Sequence, residues 1–440
     1  MISWFTLSLT VASRADFVPQ TRSVSSHQPT SVYYTYSDGT VGGVAAVTID
    51  PLTGKFLDQR SLAADPCFQN PHKLDVTDDG RFLAASSQHE YLGNLYLIDL
   101  QSGTARLLNV TKMPDAVEAY QDGFMIGADD AHHYFLDASS QKITRSWNGR
   151  AHTYPPGRRI EYITITPENG LAWTSWQKDS PSSRNKGSRV ILFDLNAWKA
   201  IADLPLPRAL PHLHLADFKE QGPNPEIIIP SKKTNTLLLS MDLYGGIAMA
   251  DLDAAQAGDW KDLSYQTTAP DQTWGTAFPD RASRFPTPNG EFVFVANAGK
   301  TGGVAWVDLA ERTIVQRIEA PPGLESPVLV DRGKLFVAAA LGKTKTRSFG
   351  ALQEIRNPTP ELFTFRIHGN TNQPRLSLKR IPLPTFAYRS AAVAPQKNDI
   401  VFLTAGELDA TEIMTVHAST GKVIDRRPAL GEIERITVRN

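Results

Sequence analysis

The chain has 440 residues, of which 41% are hydrophobic and 21% are charged, so it can bury a large core. Its 45 Lys and Arg residues nearly cancel its 46 Asp and Glu residues, and recognition of nucleic acid or an anionic membrane by bulk charge is not expected. The single cysteine, Cys67, excludes an internal disulfide framework and a cysteine-rich metal or iron–sulfur site.

Residues 1–15 are mostly apolar and end in small residues, as a secretory signal peptide does. Residues 16–30 are polar and form a leader before the first strand. We therefore expect an exported protein, secreted or periplasmic. No Lys or Arg precedes the apolar run, however, and an ordinary N-terminal tail is the alternative. No later stretch reaches the roughly 20 apolar residues that cross a bilayer, so no membrane partner is expected.

One pattern then recurs eight times: a hydrophobic strand that ends near an Asp, a tight turn and a second strand. The residues at the ends of these strands are Asp50, Asp99, Asp137, Asp194, Asp251, Asp308, Arg366 and His417. Subtraction of these positions gives spacings of 49, 38, 57, 57, 57, 58 and 51 residues, which suit four strands with their loops. Most copies follow another hairpin, so the repeat predicts an all-β fold, a β-propeller of eight four-stranded blades over residues 31–440.

The two ends of the chain predict how the ring closes. The first repeat supplies only three strands, and residues 431–440 form one unpaired strand. We expect this C-terminal strand to complete the first blade, because closure removes the exposed sheet edge. In the fifth repeat, residues 213–218 and residues 226–231 compete for the innermost strand.

The segment Asn70-Pro-His-Lys-Leu-Asp-Val-Thr-Asp-Asp-Gly80-Arg-Phe-Leu resembles the inner hairpin of the lactonase-like, YVTN-type β-propeller superfamily. The resemblance covers residues 31–440 as architecture, and the other copies of the motif are degenerate. It implies a propeller, commonly of seven blades, which is the alternative to eight. It also implies that one of the acids could activate water against a lactone or a similar ester.

The two ends of the predicted propeller differ in their loops. Turns at one end are minimal, whereas the connections at the other end are long and chemically mixed, so we place binding and catalysis at the loop-rich end. Counting eight residues back from the turn glycine of each inner hairpin gives the residues at this mouth of the channel. They are His72, Asp115, Tyr162, His214 (with His212 two residues earlier) and Glu325, while Arg284, Arg389 and Glu434 lie beside the remaining inner strands.

A divalent metal ion is the first chemistry that fits this ring. His72, His212 and His214 could bind Zn²⁺, Mn²⁺ or Ca²⁺, with Asp115 or Glu325 as a further ligand. The alternative is that these are polar side chains with no metal, in which case no cofactor is expected.

A second cluster lies in one loop and contains His152, Tyr154, Arg158, Arg159 and Glu161. Arginine could neutralise a substrate carboxylate while His or Tyr moves a proton, and Tyr162 and Arg389 join the predicted catalytic set. Arg159, Arg284, Glu325 and Trp274 are the predicted substrate-binding residues, Trp274 as a stacking surface for a sugar or aromatic ligand. A salt-bridged loop is the alternative.

These features predict an exported hydrolase or lyase that acts on a small polar or sugar-derived substrate at the channel mouth, with or without a metal ion. The alternative is a non-catalytic propeller module that binds a protein or cofactor partner on the loop-rich face. The sequence contains no phosphate-binding P-loop, Rossmann fingerprint, G-x-S-x-G elbow or C-x-x-C-H segment, which excludes the nucleotide-driven, serine-hydrolase and covalent c-type haem classes.

Overall fold

A computed structural model describes residues 28–89, 92–110, 112–129, 132–149, 158–178, 189–206, 223–348, 351–370, 372–394, 398–407 and 409–439. These residues form an almost entirely β structure whose one α-helix, α1 (Leu252–Gln256), is a short turn between strands. None of the helices in these ranges has the length and apolar character that a bilayer crossing requires.

Six four-stranded antiparallel sheets account for most of the described strands. One contains β1 (Thr30–Ser37), β2 (Gly42–Ile49), β3 (Phe56–Asp65) and the last strand, β33 (Glu432–Arg439). The next two contain β4 (Pro71–Val76), β5 (Phe82–His89), β6 (Leu92–Asp99) and β7 (Thr104–Val110), then β8 (Pro114–Tyr120), β9 (Gly123–Ala128), β10 (His132–Asp137) and β11 (Lys142–Asn148). The other three contain β12 (Arg158–Thr166), β13 (Leu171–Lys178), β14 (Arg189–Asp194) and β15 (Lys199–Pro205), then β16 (Ile228–Ser231), β17 (Thr236–Met241), β18 (Gly246–Asp251) and β19 (Ser264–Thr267), then β20 (Pro279–Thr287), β21 (Gly290–Asn297), β22 (Val304–Asp308) and β23 (Thr313–Ile318).

The remaining strands form one seven-stranded sheet and one two-stranded hairpin. The sheet contains β24 (Leu324–Val330), β25 (Leu335–Ala340), β28 (Thr359–His368), β29 (Arg375–Ala392), β30 (Ile400–Gly406), β31 (Glu412–His417) and β32 (Val423–Pro428). The hairpin is β26 (Lys343–Ser348) with β27 (Ala351–Arg356), so the long loop expected here is partly ordered into strands.

The long strand β29 pairs with two different strands along its length. Its first part pairs with β28 and its last part, from Phe386 onwards, pairs with β30. The seven-stranded sheet therefore divides into two four-stranded groups. When the two parts of β29 are counted separately, the described strands form eight four-stranded units. We number these units 1 to 8 in chain order, unit 1 being the sheet that contains β33.

The chain closes through its C-terminal strand, as predicted. Strand β33 pairs antiparallel with β1, from Ser31 opposite Arg439 to Ser37 opposite Glu432. The first strand of each unit lies innermost and contacts the first strand of the next unit, with β33 between β29 and β4. Units 5 and 6 are joined in the same way by a hydrogen bond from Arg284 to the Pro230 carbonyl. The result is a closed β-propeller.

Apolar contact between units forms the core. In the described part of the chain, eight hydrophobic clusters each lie between two consecutive units, including one between units 8 and 1. Strand β21 is buried along its whole length because neighbouring units cover both of its faces, whereas the outer strand β3 has only one fully buried residue, Phe56. At the repeated Asp positions, the carboxylate accepts hydrogen bonds from backbone N–H groups of the following turn, as Asp99 and Asp194 show.

A one-residue bulge interrupts the pairing of seven inner strands near the end where each strand begins. The extra residue in five of these strands is Asp115, Glu161, Asp280, Tyr388 or Glu434. A bulge changes which face of the strand the following residues occupy. It therefore decides which side chains reach the central channel.

Candidate functional site

The inner strands enclose a cavity of about 320 Å³ in the channel, near the starts of the strands and so near the loop-rich end. Its polar and charged lining residues are Lys73, Asp75, Glu118, Tyr162, Arg281, Glu325, Ser326, Arg389 and Arg435. In strands β8, β12, β20, β29 and β33, the residue directly after the bulge lines the cavity. These residues are Ala116, Tyr162, Arg281, Arg389 and Arg435.

We use the name upper ring for the charged and aromatic side chains that line the cavity near the bulges: Lys73, Tyr162, Arg281, Arg389 and Arg435. Side chains alternate along a strand, so the residue two positions further on also faces the channel, about 7 Å deeper. In β4 and β8 that deeper residue is acidic. Asp75 follows Lys73 and Glu118 follows Ala116, and we call Asp75 and Glu118 the acid pair.

Three arginines dominate one wall of the cavity, and two of them share Glu325. The Arg281 Nε lies 3.0 Å from a Glu325 carboxylate oxygen, and the Arg389 Nη1 lies 3.3 Å from the same oxygen. Arg281 also lies 3.2 Å from Asp280 and 3.9 Å from Glu226. Burial by itself would lower the pKa of Arg281, but the surrounding carboxylates outweigh it and raise that pKa well above its usual value.

Arg389 and Arg435 are less well compensated. Burial lowers the pKa of Arg389 to about 9, and the neighbouring Arg435 cation acts in the same direction. A guanidinium stays protonated in proteins, so we take this shift as a sign that the charge is costly where it lies. The Arg435 Nε donates a 2.9 Å hydrogen bond to the His72 carbonyl, and within the described ranges no carboxylate lies at ion-pair distance from Arg435.

The acid pair lies on the opposite wall and behaves differently. Burial raises the pKa of Glu118 well above its usual value, and the nearby Asp75 carboxylate raises it further. Burial also raises the pKa of Asp75, but its two oxygens accept hydrogen bonds of 2.7 and 2.8 Å from the backbone N–H groups of Ala119 and Val76. These bonds favour the charged form of Asp75, so they oppose the rise in its pKa, whereas burial and Asp75 both raise the pKa of Glu118.

Tyr162 stands between the two walls. Its side chain is 39% exposed, and because it lines the cavity this exposure is toward the channel. The Lys73 ammonium lies 5.9 Å from the centre of the Tyr162 ring. Burial raises the pKa of the phenol, and Glu118 raises it further, so Tyr162 is a hydrogen-bond donor at neutral pH.

Of the predicted metal ligands, the structure brings His72 and Asp115 together. His72 Nε2 lies 2.9 Å from a carboxylate oxygen of Asp115, and Asp115 is fully buried. Each of these side chains is thus the other's partner. His212 and His214 lie outside the described residues. Of the two segments that competed for the inner strand of the fifth repeat, the structure places residues 226–231 there, as β16 (Ile228–Ser231).

The predicted catalytic loop is only partly described. His152 and Tyr154 lie outside the described residues, and the side chains of Arg158, Arg159 and Glu161, which begin β12, do as well. Tyr162 and Arg389, predicted as catalytic, and Glu325, predicted as substrate-binding, all line the cavity.

Two other predicted substrate-binding residues are not among those that line it. Trp274 packs against the core between units 4 and 5, with its ring on Gly246. Arg284 lies inside β20 rather than before it, 3.6 Å from Glu291, and donates to the Pro230 carbonyl. A stabilising role explains both positions.

A group of carboxylates that could hold a metal ion consists of Glu226, Asp242 and Asp280, whose ligand oxygens lie within 4.8 Å of one another. Oxygen ligands of this kind suit Ca²⁺ or Mn²⁺. Arg281 lies at its edge, 3.2 Å from Asp280, and supplies positive charge to it.

Sequence reasoning missed Lys73, Asp75, Glu118, Arg281 and Arg435 as cavity residues. Counting back from the turn glycine assumes unbroken alternation, and the bulge shifts the channel-facing position in each strand. A signal existed: Asp75 and Glu118 each lie five residues before a turn glycine and are acids at positions where a buried strand would place apolar residues.

Fold and cavity together define a closed β-propeller with a charged, ligand-sized cavity in its channel. No protein-family model matches the chain, and no curated protein sequence matches it. Solved structures share the fold. Dihydro-haem d1 dehydrogenase NirN, in complex with DHE, has a TM-score of 0.59 and 11% identity, over 92% of this chain and 74% of NirN.

Apo AztD from Citrobacter koseri has a TM-score of 0.53 and 13% identity, over 94% of this chain and 98% of AztD. The quinohaemoprotein alcohol dehydrogenase ADHIIG from Pseudomonas putida HK5 has a TM-score of 0.52 and 13% identity, over 80% of this chain and 65% of that protein. At these identities the likeness concerns the fold alone. The predicted β-propeller architecture is confirmed.

Proposed function

We propose that the protein is an exported propeller enzyme, a hydrolase or lyase, that acts on a small, polar, acid-bearing substrate such as a sugar acid inside the channel. One observation carries the proposal. A single cavity combines under-compensated arginines on one wall with a buried carboxyl pair of raised pKa on the other. Binding of an acid group and transfer of a proton are the two operations that such a reaction requires.

The arginine wall would hold the acid group of the substrate. Arg389 and Arg435 repel each other, and Arg389 shares its carboxylate partner with Arg281. An arriving carboxylate or phosphate would lower the cost of both buried cations, and the guanidinium fork suits either group. The cavity volume of about 320 Å³ lies at the lower end of the range for small-molecule pockets, which favours a substrate of one or two sugar units at most.

The acid pair and Tyr162 would move protons. Glu118, whose pKa is raised by burial, would donate a proton to a leaving oxygen, and Asp75, whose charged form is favoured by two backbone hydrogen bonds, would accept one from water or from carbon next to the acid group. Tyr162 can donate a hydrogen bond to developing negative charge. The solved structures named as dehydrogenases support the premise that this fold hosts enzymes.

Export and metal assistance complete the proposal. Export rests on residues 1–15, which lie outside the described residues. A divalent ion would assist from the carboxylates Glu226, Asp242 and Asp280, or from His72 and Asp115 as the sequence suggested. Elemental analysis of the purified protein tests this part. Metal assistance is supported if the wild-type protein contains stoichiometric metal that Asp242→Asn or His72→Ala loses. Protein that is active without metal contradicts it.

A turnover screen tests the proposal as a whole. Lactones, glycosides of sugar acids and uronic-acid oligomers are incubated with the wild-type protein, and products are separated by mass into hydrolysed and unsaturated species. We expect one substrate class to turn over, with a loss of at least about 100-fold in kcat for Glu118→Gln, since general acid–base groups contribute factors of that size. Arg389→Met should raise KM instead.

Matched controls come from exposed residues of the same type. Glu311→Gln and Arg106→Met replace an exposed acid and an exposed arginine on the outside of the propeller and should leave turnover unchanged. Equal activity of Glu118→Gln and Glu311→Gln contradicts the catalytic role. Tight binding of acids without turnover by any substrate class would instead establish the binding module.

A further inference from the structure

Below the upper ring the channel widens into a second cavity of about 420 Å³. It is built by the inner strands of units 6, 7, 8 and 1, and in each strand its residues follow those of the first cavity along the chain. Ser283 follows Arg281, Pro327–Leu329 follow Glu325 and Ser326, Ser390–Ala392 follow Arg389, and Thr437 and Val438 follow Arg435 and Ile436. Since these strands run from the loop-rich end toward the minimal turns, the second cavity lies deeper in the channel.

The two cavities adjoin. Ser326 and Ile436 line both of them. The channel-facing positions two residues below Arg281, Arg389 and Arg435 are Ser283, Ala391 and Thr437, so each arginine stands directly above a residue of the second cavity. We call this second cavity the lower chamber.

The chemistry of the lower chamber differs from that of the upper ring. None of its lining residues is ionisable, and they supply only hydroxyl and aliphatic groups: Ser283, Ser326, Pro327, Val328, Leu329, Ser390, Ala391, Ala392, Ile436, Thr437 and Val438. One of the hydroxyls is already used, because Ser390 donates to the Ser326 carbonyl at 2.8 Å. A second charged group placed here would lose its hydration and gain no partner of opposite charge.

From this arrangement we infer that the acid-bearing substrate of the proposed enzyme has a single anionic group, held at Arg389 and Arg435, and an uncharged aliphatic part that extends into the lower chamber. The inference rests on the proposed function for the anionic end. The step from the upper ring to the next channel-facing position is about 7 Å, which a body of five or six bonded atoms spans. The acid group therefore faces the loop-rich end and the body points into the propeller.

Chain-length dependence of acid binding tests this inference. Straight-chain monocarboxylates from acetate to octanoate are titrated calorimetrically against the full chain. Burial of each methylene should tighten binding roughly fourfold until the body fills the chamber. Adipate, which places a second carboxylate where hexanoate has a methyl group, should bind at least about tenfold more weakly than hexanoate.

Two variants locate the effect. Val328→Phe and Ser283→Leu put bulk into the lower chamber from different strands and should bring the hexanoate-to-acetate affinity ratio close to one, whereas Arg106→Met on the outside should keep the wild-type ratio. A melting curve shows whether each variant folds. If one chamber variant does not fold, the other still tests the inference. Acids that bind with no dependence on chain length, or adipate that binds as well as hexanoate, overturn the inference and leave the proposed function standing. Failure of every acid to bind overturns the proposed function, and this inference with it.

Discussion

The wall made by β20, β24, β29 and β33 and the wall made by β4, β8 and β12 bury ionisable groups in opposite ways. On the first wall the arginines keep their charge, because Glu325 and its neighbours compensate part of it. On the second wall burial and the Asp75 carboxylate raise the pKa of Glu118 well above its usual value, and the Lys73 cation offsets only part of this shift. A cation that stays charged when it is buried suits recognition of an anion. A carboxyl whose pKa is raised by burial suits proton transfer.

The largest effect is expected from Arg281→Met, which removes the cation that Glu325, Asp280 and Glu226 share. Removal of one partner from a buried group of ion pairs should lower the free energy of unfolding by about 3–5 kcal/mol. Urea unfolding measures this loss, with Arg106→Met as the control that stays within about 0.5 kcal/mol of wild type. A loss no greater than that of the control would show that the first wall does not depend on compensated charge.

Asp115→Asn tests the pair that His72 and Asp115 form on the second wall. Asp115 is fully buried and lies 2.9 Å from His72, so loss of its negative charge should cost about 1–3 kcal/mol in the same urea experiment. The effect should be equal in the presence and absence of a chelator if pairing with His72 is the role of Asp115. A cost that disappears when metal is removed from both proteins would identify Asp115 as a metal ligand.

Arg389→Met should separate stability from binding. The Arg389 charge is costly, since burial and Arg435 lower its pKa to about 9. Replacement by an apolar side chain should therefore leave stability unchanged or raise it by about 1 kcal/mol, while acid binding weakens at least about tenfold. A stability loss as large as that of Arg281→Met would make Arg389 a structural partner of Glu325 rather than a binding residue.

Glu118→Gln is expected to have the smallest effect on stability, and that effect depends on pH. Because the pKa of Glu118 is raised in the folded protein, the folded state binds more protons than the unfolded state between the usual glutamate pKa and the raised value. Wild-type stability should fall as the pH rises through this window. The variant should match wild type at acid pH and exceed it at neutral pH, and parallel stability curves would contradict the raised pKa.

Much of the architecture could be predicted from the sequence, because many strand ends of the propeller carry a local sequence signal. The Asp at the end of each third strand forms hydrogen bonds with its own turn, so it marks a strand end in residues such as Asp99 and Asp194 without knowledge of the rest of the chain. The closing strand was predictable from strand counting, since the first repeat lacked one strand and the C-terminus carried one too many.

The site was less predictable because it depends on register. His72 and Asp115 were chosen by counting from the turn, but the bulges shift the alternation, and the cavity receives Lys73 and Glu118 from the same strands. Tyr162 was found because it directly follows the extra residue of its strand. Arg435 was missed because the bulge at Glu434 makes the next residue of β33, rather than the predicted Glu434, line the cavity.

The central claim is that Glu118 carries a proton in a cavity whose arginines bind an acid. The most direct test is the affinity of hexanoate for wild type and for Glu118→Gln, measured from about pH 5 to about pH 9. Since ionised Glu118 would repel the bound carboxylate, wild-type affinity should fall as the pH rises, and the variant should show a flat profile. The same fall in both proteins would contradict the claim.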